Sequence, residues 1–149
     1  MPVVTCVAFH QPWASLVAHG LKRVKLFNST MRHRGPLGVY ACRKVWPQTR
    51  LALNDPDVAA GLAGIGLKPD AFGLHGLHPD TPHGVVIGTV DLVDIVRADA
   101  ATPRQRAELA RYGDYSKGEW LWLLANARPL ATPVRCKANK RPFPVDLPS

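Results

Sequence analysis

The first 54 residues of this 149-residue chain contain neither aspartate nor glutamate. The same stretch holds eight cations: Lys22, Arg23, Lys25, Arg32, Arg34, Arg43, Lys44 and Arg50. Protein surfaces ordinarily intersperse both signs. Acids missing from a third of the chain therefore set up a positive potential that gathers anions. Cysteine is scarce and unpaired. Cys6, Cys42 and Cys136 form no CxxC spacing, which removes the usual framework of a zinc site or a disulfide scaffold. Free thiols fit a reducing, cytoplasmic setting. Long apolar runs are missing as well, and Val85–Val90 is far too short to span a bilayer as a helix. Met1–Phe9 is apolar but lacks a basic leader segment, and Gln11-Pro12-Trp13 interrupts it, so no secretory signal is expected. There is no glycine-rich phosphate loop, serine elbow or dinucleotide fingerprint. Asp91 and Asp94 stand three apart in an expected strand and so point to opposite faces. They do not make the paired carboxylates of a glycosidase or a two-metal site.

What remains describes a globular chain. It is 46% hydrophobic and 20% charged, of a size that suits one domain over 1–149. Residues 55–126 carry six basic and ten acidic side chains. Residues 127–149 carry five basic ones against Asp146 alone. Two basic ends thus flank an acidic middle. Should the ends meet in the fold, one face carries a strong positive potential.

The β-branched run Val3–Phe9 reads as a strand. Pro12 suits the first turn of a helix. Trp13, Leu16, Val17 and Gly20 follow helical spacing, with Gly20 as the stop. Arg23–Asn28 and Leu37–Cys42 read as further strands, joined by a basic loop. Asp55-Pro56-Asp57 opens a short helix. Residues 64–84, rich in Gly, Pro and His, read as a long surface loop. Val85–Val96 is the strongest strand, with Gly88 marking a bulge or a close approach. Thr102 caps a helix that begins at Pro103. Glu119–Leu124 and Pro133–Lys137 read as late strands. Five or six strands with two or three helices predict an α+β domain built on a small barrel.

Three stretches carry a resemblance: Phe9-His10-Gln11-Pro12-Trp13-Ala14-Ser15-Leu16, Gly20-Leu21-Lys22-Arg23-Val24 and His33-Arg34-Gly35-Pro36-Leu37. With Gly84–Asp94, Tyr112–Ser116 and Trp120–Leu130, they make the chain similar to the ASCH (activating signal cointegrator homology) domain, of bacterial or phage type. The resemblance implies a PUA-like β-barrel with a cleft between the helix after Gln-Pro-Trp and the strand after Gly-x-Lys. Family members have been proposed to bind RNA. Some small bacterial ones hydrolyse acetylated cytidine with a key lysine, and ribonuclease activity has been described. Lys22 matches that lysine. The chain departs from the pattern where the family reads Lys-x-x-Glu-x-Arg; here the positions are Lys22, Lys25 and Phe27. Where relatives read Tyr-Ser-Pro-Gly-Arg, the chain has Tyr115-Ser116-Lys117-Gly118-Glu119. An acid exchanged for Lys25 and a base for Glu119 predict that these two face each other as a swapped ion pair.

The leading expectation is a binding module for RNA, single-stranded nucleic acid or a modified nucleotide. Lys22, Lys25, Arg34 and Lys137 or Lys140 would meet phosphates, beside His33. Gln11 or Asn28 would read a base edge, with Ser15 at the same helix start. Trp13, Tyr115 and Trp120 offer stacking faces, with core packing the alternative. The second expectation is a hydrolase using Lys22 as base or nucleophile, oriented by Glu119 or Asp114. A protein-interaction adaptor is a third. His75, His78 and His83 lie in a Gly/Pro loop without Cys or Glu partners, so no metal is expected. No cofactor and no membrane partner are expected either.

Overall fold

The computed structural model describes residues 3–113 and 118–148. Their strands are β1 (Val3–Phe9), β2 (Val24–Phe27), β3 (Gly35–Ala41), β4 (Val85–Arg97), β5 (Trp120–Arg135) and β6 (Phe143–Asp146). The helices are α1 (Trp13–Ala18), α2 (Thr49–Leu53), α3 (Pro56–Gly64) and α4 (Pro103–Ala110). All strands join one sheet in the order β2-β5-β4-β3-β1-β6. Three strands separate β2 from β1, yet Phe27 and Phe9 touch edge-to-face with ring centroids 5.4 Å apart. The sheet must therefore curl, and the fold is an α+β half-barrel with an unpaired seam between β2 and the β1–β6 side.

The core follows from strand alternation. Val7 and Phe9 of β1 point into the curl, where they meet Leu37, Val39, Val90, Leu92 and Trp122. Ala14, Val17 and Ala18 of α1 fill the same space. Cys6, just before Val7 and so on the other face of β1, points to a second cluster with Tyr40, Val86, Phe143 and Val145. Gly20, at φ +78°, ends α1 in the left-handed region and turns the chain toward β2. Gly88 makes both the bulge and the close approach read from the sequence. The β4–β5 register shifts there, and a Cβ would lie 2.9 Å from the Arg128 carbonyl oxygen and 3.1 Å from Ala18 Cβ.

Three elements depart from expectation. The two late strands are one, β5, because the long irregularity between Pro129 and Val134 bends the ladder without ending it. Proline donates no hydrogen bond, and Pro129 sits at that irregularity. The edge strand β6 was hidden by Pro144, although Phe143 and Val145 are buried. The five-residue α2 adds a fourth helix. The helix after Thr102 forms as expected, and Thr102 and Gln105 make a reciprocal capping box. No helix of the described residues is long and apolar enough to cross a membrane.

Candidate functional site

The seam opens into a cleft of about 340 Å³. One wall is the end of β1, from Val7 to His10; the other is β2 from Lys25, continuing through Asn28 and Ser29. Trp122 on β5 faces the same space, with Cys42 and Trp46 from the segment after β3 and Lys140, Arg141 and Pro142 before β6. The two basic ends of the chain do meet here. Its described lining contains no Asp or Glu.

Local geometry explains each lining group. Lys25 alternates with Val24 and Leu26, which pack toward α4 in a cluster with Leu109 and Leu121. Its own side chain therefore enters the curl, where it is only 4% exposed. The ammonium lies 5.3 Å from the Phe27 ring centroid and 5.9 Å from that of Trp13, a cation–π arrangement. Phe27 packs in turn on Trp122, centroids 4.3 Å apart. His10 stacks on Trp46 at 3.6 Å. Burial, opposed by the Lys44 backbone and aided by the Lys25 charge, lowers the His10 pKa to about 4. The ring is thus neutral at pH 7, and its buried Nδ1 has no hydrogen-bond partner. Burial also raises the Cys42 thiol, so Cys42 lines the cleft as a neutral group and not as a thiolate nucleophile. Aromatic faces inside and cations at the mouth suit a flat group carrying a negative charge.

Few of the sequence-predicted residues line this cleft: Lys25, Asn28 and Lys140 do. Gln11 is fully buried and committed internally. Its Nε2 donates to Ser15 Oγ and to the Pro82 carbonyl, both at 2.9 Å, and its Oε1 accepts from the Ser15 amide at 3.0 Å. Trp13 Nε1 donates to the carbonyls of Tyr112 and Gly113. Lys22 is 1% exposed, and its ammonium donates to the carbonyls of Leu109 and Arg111, each at 3.2 Å. These oxygens end α4, where a cation also meets the negative end of the helix dipole. His33 and Arg34 lie on a separate loop. His33 Nε2 contacts the Pro36 carbonyl, and Arg34 reaches the carbonyls of Met31 and His33 and the Asp94 carboxylate. Trp120 packs under Arg97, and Lys137 is exposed and does not line the cleft. Asp114 and Tyr115 lie outside the described residues.

The swapped ion pair does not fit the register. Lys25 stands opposite Trp122, three residues from Glu119, and Phe27 stands opposite Trp120. Successive strand residues alternate faces, so Glu119 projects away from Lys25, and it is exposed where Lys25 is buried. Conversely, His10, Trp46 and Arg141 line the cleft without having been singled out. The stretch Arg43-Lys44-Val45-Trp46, an aromatic inside an acid-free basic run, held the signal for Trp46.

No family model matches the chain. Activating signal cointegrator 1 of Homo sapiens is 25% identical over 142 residues, 95% of this chain. The Mus musculus protein of the same name is 26% identical over 141 residues, again 95% of the chain. The ASCH resemblance holds. The chain spans 22% of the length of each of these relatives. Among solved structures, two point variants of ZmASCH from Zymomonas mobilis each align at 16% identity and TM-score 0.49. They cover 88% of this chain and 72% or 74% of theirs. The ASCH-like stretches Gln11–Ser15 and Gly20–Lys22 form the packed support behind the cleft, and the departures Lys25 and Phe27 form its wall.

Proposed function

We propose that the chain is a nucleic-acid-binding module that holds one nucleotide unit in the seam cleft. The base packs among Phe27, Trp46 and Trp122, and the phosphate lies at Lys140 and Arg141. The observation that carries this reading is the composition of the lining: aromatic rings, Lys25, Lys140 and Arg141, with no acid among the described residues. A volume of about 340 Å³ falls within the range of small-ligand sites. Stacking on aromatic faces tolerates any base, and cations supply the affinity for backbone. The hydrolase reading needs Lys22 at the substrate. Its ammonium instead engages the end of α4, outside the cleft lining, which supports binding over catalysis by that residue.

The test is a titration of labelled single-stranded RNA against the protein at several salt concentrations. Affinity should fall with salt at a log–log slope of about −0.7 for each phosphate neutralised. The double variant Lys140→Gln/Arg141→Gln should bind about tenfold or more weakly, while Arg34→Gln, outside the cleft, should bind as the parent does. Binding that ignores salt, or no binding to any nucleic acid or nucleotide, refutes the reading.

A further inference from the structure

We infer that the cleft mouth continues into a track for single-stranded nucleic acid, so that the ligand is a strand and not a free nucleotide. The inference rests on the binding proposed for the cleft and adds a second set of residues. Ala41, Val85 and Arg135 stand side by side across β3, β4 and β5. The segments that follow β3 and β5 therefore leave the same end of the sheet. Segment 42–48 carries Arg43 and Lys44, both exposed, between the lining residues Cys42 and Trp46. Segment 136–142 carries Lys137 and then the lining residues Lys140 and Arg141, all exposed.

The two segments together hold five cations and no acid. The acid of the neighbouring edge strand, Asp146, pairs with Val3 at the far end of β1, away from the mouth. Segment 42–48 is also anchored. The Cys42 amide donates to the Phe9 carbonyl at 2.9 Å, and the Trp46 ring stacks on His10. The Arg43 side chain lies against Gly84, where a Cβ would come within 2.9 Å of its Cγ and Nε. A pocket for one base brings one phosphate group. Five cations around its mouth exceed what that group can engage, and they match the successive phosphates of a strand.

The experiment compares a 5′-mononucleotide with single strands of about 4 to 12 nucleotides, the range of single-strand site sizes, as RNA and as DNA of one sequence. The parent should bind the longest strand at least about thirtyfold more tightly than the mononucleotide. The variant Arg43→Gln/Lys44→Gln, which removes two surface charges, should melt as the parent does. It should bind the long strand about tenfold more weakly and lower the magnitude of the salt slope by about 1.4, two single-strand phosphate contacts. Its affinity for the mononucleotide should stay within about twofold. Equal affinity of parent for mononucleotide and strand overturns the track while the cleft reading stands. So does a variant that binds the strand as the parent does, or one that loses both ligands equally. A parent that binds neither ligand overturns the cleft reading and the track with it.

Discussion

Lys22 and Lys25 are three residues apart, both almost free of solvent, and they serve two different regions of the molecule. Lys22 precedes β2 and turns toward α4, where carbonyls of Leu109 and Arg111 accept its protons. Lys25 lies within β2 and turns into the curl, over the rings of Phe27 and Trp13 and against the seam cleft. One ammonium ties a helix end to the sheet; the other puts positive charge on the wall of a cavity. A buried lysine is thus assigned a role by what surrounds its Nζ and by whether that surrounding leaves room for a ligand. The residue that matches a family motif and the residue that departs from it have exchanged the positions one would give them from the motif alone.

The largest effect expected from this contrast is on stability. Replacing Lys22 by Met leaves two part-buried carbonyls at the end of α4 without their donor, and a fully buried unsatisfied acceptor costs about 1–3 kcal/mol. Partial rescue by water brings the expected loss to roughly 3 kcal/mol in chemical denaturation. The folded fraction should keep its affinity for single-stranded RNA within about twofold. A Lys22→Met protein that is as stable as the parent but no longer binds or turns over a ligand would reverse the assignment. Lys25→Met should behave in the opposite sense. Loss of the ring contacts costs on the order of 1 kcal/mol, and the affinity for RNA should fall about tenfold, about 1.4 kcal/mol. Unchanged affinity in Lys25→Met would remove that residue from the site.

The elements were legible where local chemistry dictates them. β1 matches its β-branched run, Gly20 closes α1, and Thr102 with Pro103 starts α4. β6 was not legible, because Pro144 speaks against a strand and only an edge position beside β1 accommodates it. The meeting of the two basic ends could be posed from charge alone but not decided, since it depends on the parallel β1–β3 pairing and on the curl. The site was harder still. Gln11, Trp13 and Ser15 have the chemistry of ligand contacts, but a buried polar group must find partners, and these find them in Pro82, Tyr112, Gly113 and one another. Which polar residue is spent on structure is a tertiary fact. The departures at Lys25 and Phe27 were visible as substitutions, and their common direction into the cleft follows from strand alternation once β2 is placed. The expected partner of Lys25 failed for the same reason: Glu119 is on the wrong register and the wrong face.

The smallest effect separates the two lysines most cleanly, because it is read at a third residue. Burial is the main cause of the lowered pKa of His10, about 4, and the Lys25 ammonium adds to it. Lys22 is not among the causes. Titrating the His10 ring by NMR should therefore give a midpoint near 4 in the parent and in Lys22→Met, and a higher midpoint in Lys25→Met. The same shift has a consequence for stability. The folded protein prefers neutral His10, whereas the unfolded ring takes up its proton near pH 6.5. Stability from this group is present above that value and is lost as pH falls from 6.5 toward 4. Lys25→Met should flatten that loss and Lys22→Met should leave it unchanged. Identical His10 midpoints in all three proteins would mean that the Lys25 charge does not act across the cleft.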